Sequence, residues 1–170
     1  MPFSDFIRAT VLLCAGAATT LAVVTVLSGA AEHDPGAVTL PFVWWGGAAL
    51  LGLALGWRGR ASPAIARLLA GARMSNLIPE QRPALILVTR LWPLLIGTLV
   101  SCVLGSFAPQ IPGIAAGFTI VSALAWRNQY AAVLAIEGRD GVRFYVDRKP
   151  FWRAISLTRT PGFKVYRPTY

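Results

Sequence analysis

Apolar residues gather into four long runs, at about 9–30, 39–57, 91–108 and 112–126, with short polar stretches between them. Each run is close to the roughly 20 residues that a helix needs to cross a bilayer. The pattern predicts an all-α membrane protein: a four-transmembrane-helix bundle over residues 1–130 and a small basic cytoplasmic tail over 131–170. Pro41 is expected in the first turn of the second helix, where its missing N–H does no harm. The third helix is expected to begin as early as residue 83, to tilt, to let Arg90 reach the headgroups, and to kink at Pro93.

Two segments outside the spans carry their own patterns. Over Pro63 to Arg73, Ile65, Leu68, Leu69 and Ala72 share a helical face, with Arg67 and Arg73 off it. The stretch 63–90 therefore reads as amphipathic and interfacial, lying on the membrane surface or packed under the bundle. In the tail, Val133–Glu137 and Val142–Asp147 flank Gly138-Arg139-Asp140-Gly141, which predicts a β-hairpin around the Asp-Gly pair. Val142, Phe144 and Val146 would then share one strand face.

Small residues recur four apart within the spans. Ala48, Gly52 and Gly56 line the second helix, Gly97, Ser101 and Gly105 the third, and Gly113 and Gly117 the fourth. Lipid gives helices no hydrophobic reason to associate, so close backbone approach through small residues is what lets dispersion act. These six glycines are the expected helix-packing positions, within one chain or between copies of it.

Charge adds an orientation. All 16 Lys and Arg residues lie in the N-terminal tip, in 58–90 or in 127–170. The loops 31–38 and 109–111 hold none, only the acids Glu32 and Asp34. Basic loops stay in the cytoplasm, so both termini are expected inside. The preponderance of Arg over Lys, with much Ala and Gly, fits a GC-rich bacterial genome, hence a bacterial plasma membrane. The run from Ala9 to Leu27 with Ser28-Gly29-Ala30 behind it also resembles a cleavable signal peptide. Its length favours a retained helix.

Candidate chemistry is sparse. The spans contain no Asp, Glu, Lys or His, the usual marks of proton relays and ion pathways. His33, the single histidine, stands between two acids in an outer loop and makes a poor metal set. No Ser-His-Asp arrangement, P-loop, dinucleotide motif or zinc spacing occurs, so neither a catalytic activity nor a cofactor is expected. Cys14 and Cys102 lie at different depths of their spans, too far apart for a disulfide. The tail instead interleaves cations with rings. Arg143, Arg148, Lys149, Phe151, Trp152 and Arg153 are expected to contact anionic lipid or a partner protein, rather than nucleic acid. The chain thus reads as a non-catalytic membrane accessory or scaffold protein. The alternative is an oligomeric pore or carrier built on the small-residue faces.

Overall fold

The computed structural model describes residues 1–32, 35–57, 62–74, 82–108, 110–147 and 155–161. Helix dominates. The elements run α1 (Phe3–Glu32), α2 (Pro35–Gly56), α3 (Pro63–Ala70), β1 (Arg73–Met74), α4 (Pro83–Leu104), α5 (Gln110–Arg127), α6 (Gln129–Asp140), β2 (Val142–Val146) and β3 (Leu157–Pro161). Three helical stretches, Phe3–Ala31, Thr39–Gly56 and Pro83–Leu104, are long and apolar enough to cross a membrane, the mark of a membrane protein.

α5 packs one face against its neighbours and leaves Ile114 and Phe118 exposed on the other. It packs most extensively against α1 and α2. Its buried positions, Pro112, Gly113, Ala116, Gly117, Thr119 and Ala123, are small or weakly polar. A helix covered by protein needs fewer large apolar side chains than one facing lipid, which explains its modest hydropathy. α4 is the opposite case. It touches α1 and α5 but leaves Leu95, Ile96, Leu99, Val100 and Val103 exposed. Span hydroxyls are satisfied within their own helices: Thr19, Thr20, Thr25 and Thr98 each donate to the carbonyl four residues back.

The largest buried cluster is not in the bundle but at one end of it. Phe3, Phe6 and Ile7 from the start of α1 meet Ile65 and Leu69 of α3, Ile86 of α4, Val133 of α6, and Val142, Phe144, Val146 and Leu157 of the sheet. The sheet order is β1-β3-β2, with β1 parallel and β2 antiparallel to β3. Phe144 opposes Arg159 and Val146 opposes Leu157. The N-terminus adds to this sheet: Pro2 bridges Tyr145, and the Val146 N–H donates to the Met1 carbonyl at 3.1 Å. α1, of 30 residues, is therefore shared. Its first turns belong to an α/β cap and the rest to the bundle.

Several sequence expectations change here. No strand forms over 133–137; the run is part of α6, because Ala131, Ala132, Leu134 and Ala135 favour helix. Gly141 adopts φ 62° and closes α6, its N–H donating to the Glu137 carbonyl. The Asp-Gly pair is thus a helix end of the left-handed type, not a hairpin turn. β2 does form, with Val142, Phe144 and Val146 buried, but its partner is β3. Pro41 sits in the interior of α2 rather than its first turn, since α2 starts at Pro35. α4 starts at Pro83, with Pro93 inside it. The apolar face of α3 turns into the cap, with Ile65 and Leu69 buried.

Candidate functional site

The cap is the part of the molecule where polar chemistry is organised. Two amides at its membrane-side junction hold the elements together. Asn128, just past the end of α5, donates from Nδ2 to the Gly56 carbonyl at 2.7 Å and so satisfies the C-terminus of α2. Buried Gln129 accepts from the Ser62 N–H at 2.9 Å through Oε1. Ser62 in turn caps α3, its hydroxyl accepting from the Ile65 N–H at 3.4 Å. A polar Asn-Gln pair after an apolar run reads in sequence only as a span boundary. Its bonding partners are some 70 residues distant and carry no local signal.

The free edge of β2 is closed by a side chain. Glu137 Oε1 accepts the Phe144 N–H at 3.1 Å, supplying the bond that a neighbouring strand would otherwise make. Burial raises the Glu137 pKa above the ordinary carboxyl value. The Phe144 N–H and Arg143 pull it back, and nearby Asp5 raises it further. At the other end of the strand Asp147 accepts from the Ser156 hydroxyl at 2.9 Å and from the Thr158 hydroxyl. These carboxylates are structural in their bonding: Glu137 joins α6 to the edge of β2, and Asp147 ties the end of β2 to the start of β3.

Of the expected contact residues, Arg143 is exposed on the outward face of β2. Arg148, Lys149, Phe151, Trp152 and Arg153 lie outside the described residues, as does His33. Among the described residues no three His, Cys, Asp or Glu side chains cluster as metal ligands. Arg67, Arg73, Arg82 and Arg139 are exposed around the cap. The one ion pair among the described residues is the exposed contact between Arg139 and Asp140, at 2.8 Å. Among the described residues the exposed charged side chains of the cap are thus mostly basic.

The glycines divide. A Cβ on Gly56 would lie 2.5 Å from the Leu124 carbonyl oxygen, and one on Gly52 would lie 2.8 Å from the Leu124 Cβ. One on Gly113 would meet Pro41 at 2.9 Å and Thr25 at 3.2 Å. One on Gly117 would overlap the Trp44 indole, and one on Gly105 would sit 3.0 Å from both Pro112 and Val24. Gly97 has nothing within 4 Å of its Cβ position among the described residues. It lies on the part of α4 that no other element covers. Trp44 and Trp45 tie α2 to α5. Their indole N–H groups donate to the Ile114 carbonyl at 3.2 Å and the Gly113 carbonyl at 2.8 Å.

The geometry defines a class: apolar helices of membrane-crossing length that carry one polar α/β cap. Set against family models, curated proteins and solved structures, the chain matches none of them.

Proposed function

We propose that the chain is a non-catalytic scaffold of the bacterial plasma membrane. Four spans, α5 included, anchor the cap, and both termini are cytoplasmic. The positive-inside rule supports this orientation, because the cap end holds the basic residues. α5, at about 27 Å, is long enough to cross the hydrocarbon core with its neighbours.

The observation that carries the reading is the buried cluster joining Phe3, Ile7, Ile65, Ile86, Val133 and Phe144. It ties distant parts of the chain into one rigid platform under the bundle. That platform holds out Arg67 and Arg143 toward anionic lipid or an acidic protein partner, to which the basic composition of the tail also suits the chain. Among the described residues, the Thr19, Thr20, Thr25 and Thr98 hydroxyls turn back onto their own helices, which disfavours their lining a solute path. The oligomeric pore is the weaker reading. Five of the six packing glycines already meet neighbours within the chain, and only Gly97 stays open for a second copy.

Reconstituted into liposomes, the purified chain should leave the vesicles tight to ions and small solutes. Crosslinking in native membranes should join the cap to a different protein or to anionic lipid. Solute flux that depends on the chain would overturn the scaffold reading.

A further inference from the structure

Three arginines stand at the end of the bundle where it meets the cap, one on each of three mutually packed helices: Arg8 on α1, Arg90 on α4 and Arg127 on α5. Their relative levels follow from contacts near the opposite end. Gly113 of α5 lies against Thr25 of α1, and Gly105 of α4 lies against Val24 of α1. Counting back along α5, Arg127 lies about 21 Å from Gly113, while Arg8 lies about 26 Å from Thr25 along α1. Along α4, Arg90 lies about 22 Å from Gly105, against about 24 Å from Val24 to Arg8. The three charges therefore share one level to within about 5 Å, less than the depth of a headgroup layer.

Their surroundings fit that level. Ile7, beside Arg8, and Ile86, one turn before Arg90, are buried in the cap core. On the other side of Arg8 and Arg90 come the exposed apolar residues Leu12 and Leu95. Arg8 and Arg127 are themselves exposed. A hydrocarbon layer of roughly 30 Å measured from this level ends near Ser28 on α1, and α5 covers about 26 Å of it between Arg127 and its start at Gln110.

We infer that Arg8 and Arg127, exposed at the level of the half-buried Arg90, form a headgroup belt that binds the phosphates of anionic phospholipid. The belt fixes how deep the protein sits and holds the cap outside the bilayer. This rests on the membrane reading above but moves the lipid contact from the tail to the junction of bundle and cap. The cap face and the tail are left free for a protein partner.

The test uses the full chain in detergent, with phosphatidylglycerol or phosphatidylcholine added. Bound lipid is counted by native mass spectrometry and thermal stability is read in parallel. Phosphatidylglycerol should bind and raise the melting temperature; phosphatidylcholine should do neither to the same degree. Each arginine is expected to contribute about fivefold in affinity, so R8Q/R127Q should bind phosphatidylglycerol roughly 25-fold more weakly. Both side chains are exposed, so this variant should melt like the parent without lipid. Arg90→Gln tests the third position, and Arg73→Gln, on β1, should leave lipid binding unchanged. Full binding by R8Q/R127Q, or equal binding of both lipids by the parent, would overturn the belt. So would a loss from Arg143→Gln as large as that from R8Q/R127Q, which would return the contact to the tail. Release of the chain from membranes by alkaline carbonate would instead remove the membrane reading itself.

Discussion

Alanine at Gly56 and alanine at Gly97 make a matched pair whose difference comes only from what stands opposite. A Cβ on Gly56 would lie 2.5 Å from the Leu124 carbonyl oxygen, and the Cα of Ala125 is 3.5 Å away. The obstacle is backbone in the last turn of α5, which cannot rotate aside as a side chain can. Reaching ordinary contact requires α2 and α5 to separate by about 1 Å, and overpacking of this kind costs about 1–3 kcal/mol. The separation also lengthens the Asn128 bond to the Gly56 carbonyl. Gly97 has open space, so alanine there brings only its helix preference, worth up to about 1 kcal/mol in favour of the variant. Both positions are helical and share that preference, so the two variants should differ by the overpacking cost of about 1–3 kcal/mol, or about 2–12 °C in melting temperature for a chain of this length. Circular dichroism melts of the detergent-solubilised proteins, side by side with the parent, measure this directly. Equal melting temperatures for Gly56→Ala and Gly97→Ala would refute the α2–α5 contact.

Ile7 is fully buried in the cap although it lies at the start of a membrane-length helix. Ile7→Ala should cost about 2–5 kcal/mol and expose the sheet to limited proteolysis, whereas Leu12→Ala, facing outward, should change little. Glu137→Ala leaves the half-buried Phe144 N–H without its acceptor and should cost about 1–3 kcal/mol. Glu137→Gln keeps the acceptor and removes the buried charge. Because burial raises the folded-state pKa of Glu137, its stability contribution is complete below the ordinary carboxyl pKa and is lost as pH rises through the raised value. Glu137→Gln should therefore be at least as stable as the parent at neutral pH, with the gap closing in acid; pH-dependent melts that show the reverse trend would contradict the assignment.

The apolar runs made α1, α2 and α4 legible because membrane-length segments announce themselves by composition alone. Small residues likewise marked the faces of α2 and α5 that meet. Gly97 belongs to the same pattern and packs against nothing, since spacing identifies a face but not its partner. The pattern over 142–146 located β2 and its buried face, while its partner was misread. Asp140-Gly141 suits a hairpin turn and a helix C-terminus equally, and the choice depended on the helix preference of the alanines before it. The cap was the least legible part. Its core is assembled from residues as far apart as Phe3 and Leu157, each in a short stretch whose apolar pattern has no meaning until the others arrive. Glu137 closing the edge of β2 belongs to the same order of information, because no local pattern marks a carboxylate that replaces a strand.

The meeting of the start of the chain with the β2–β3 sheet in one cap at the basic end of the bundle is tested most directly by joining them. Pro2 and Tyr145 are bridge partners on adjacent antiparallel segments. Such Cα atoms lie about 4.5–5.5 Å apart, within disulfide reach. P2C/Y145C, introduced after replacing Cys14 and Cys102 with alanine, should form an intramolecular disulfide readily when membranes are treated with a mild oxidant. The product should be a faster-migrating monomer that reverts on reduction, while a P2C/G36C control, with its cysteines at opposite ends of the bundle, should stay reduced. A P2C/Y145C pair that stays reduced in membranes, or crosslinks only between molecules, would contradict the cap on which the whole account rests.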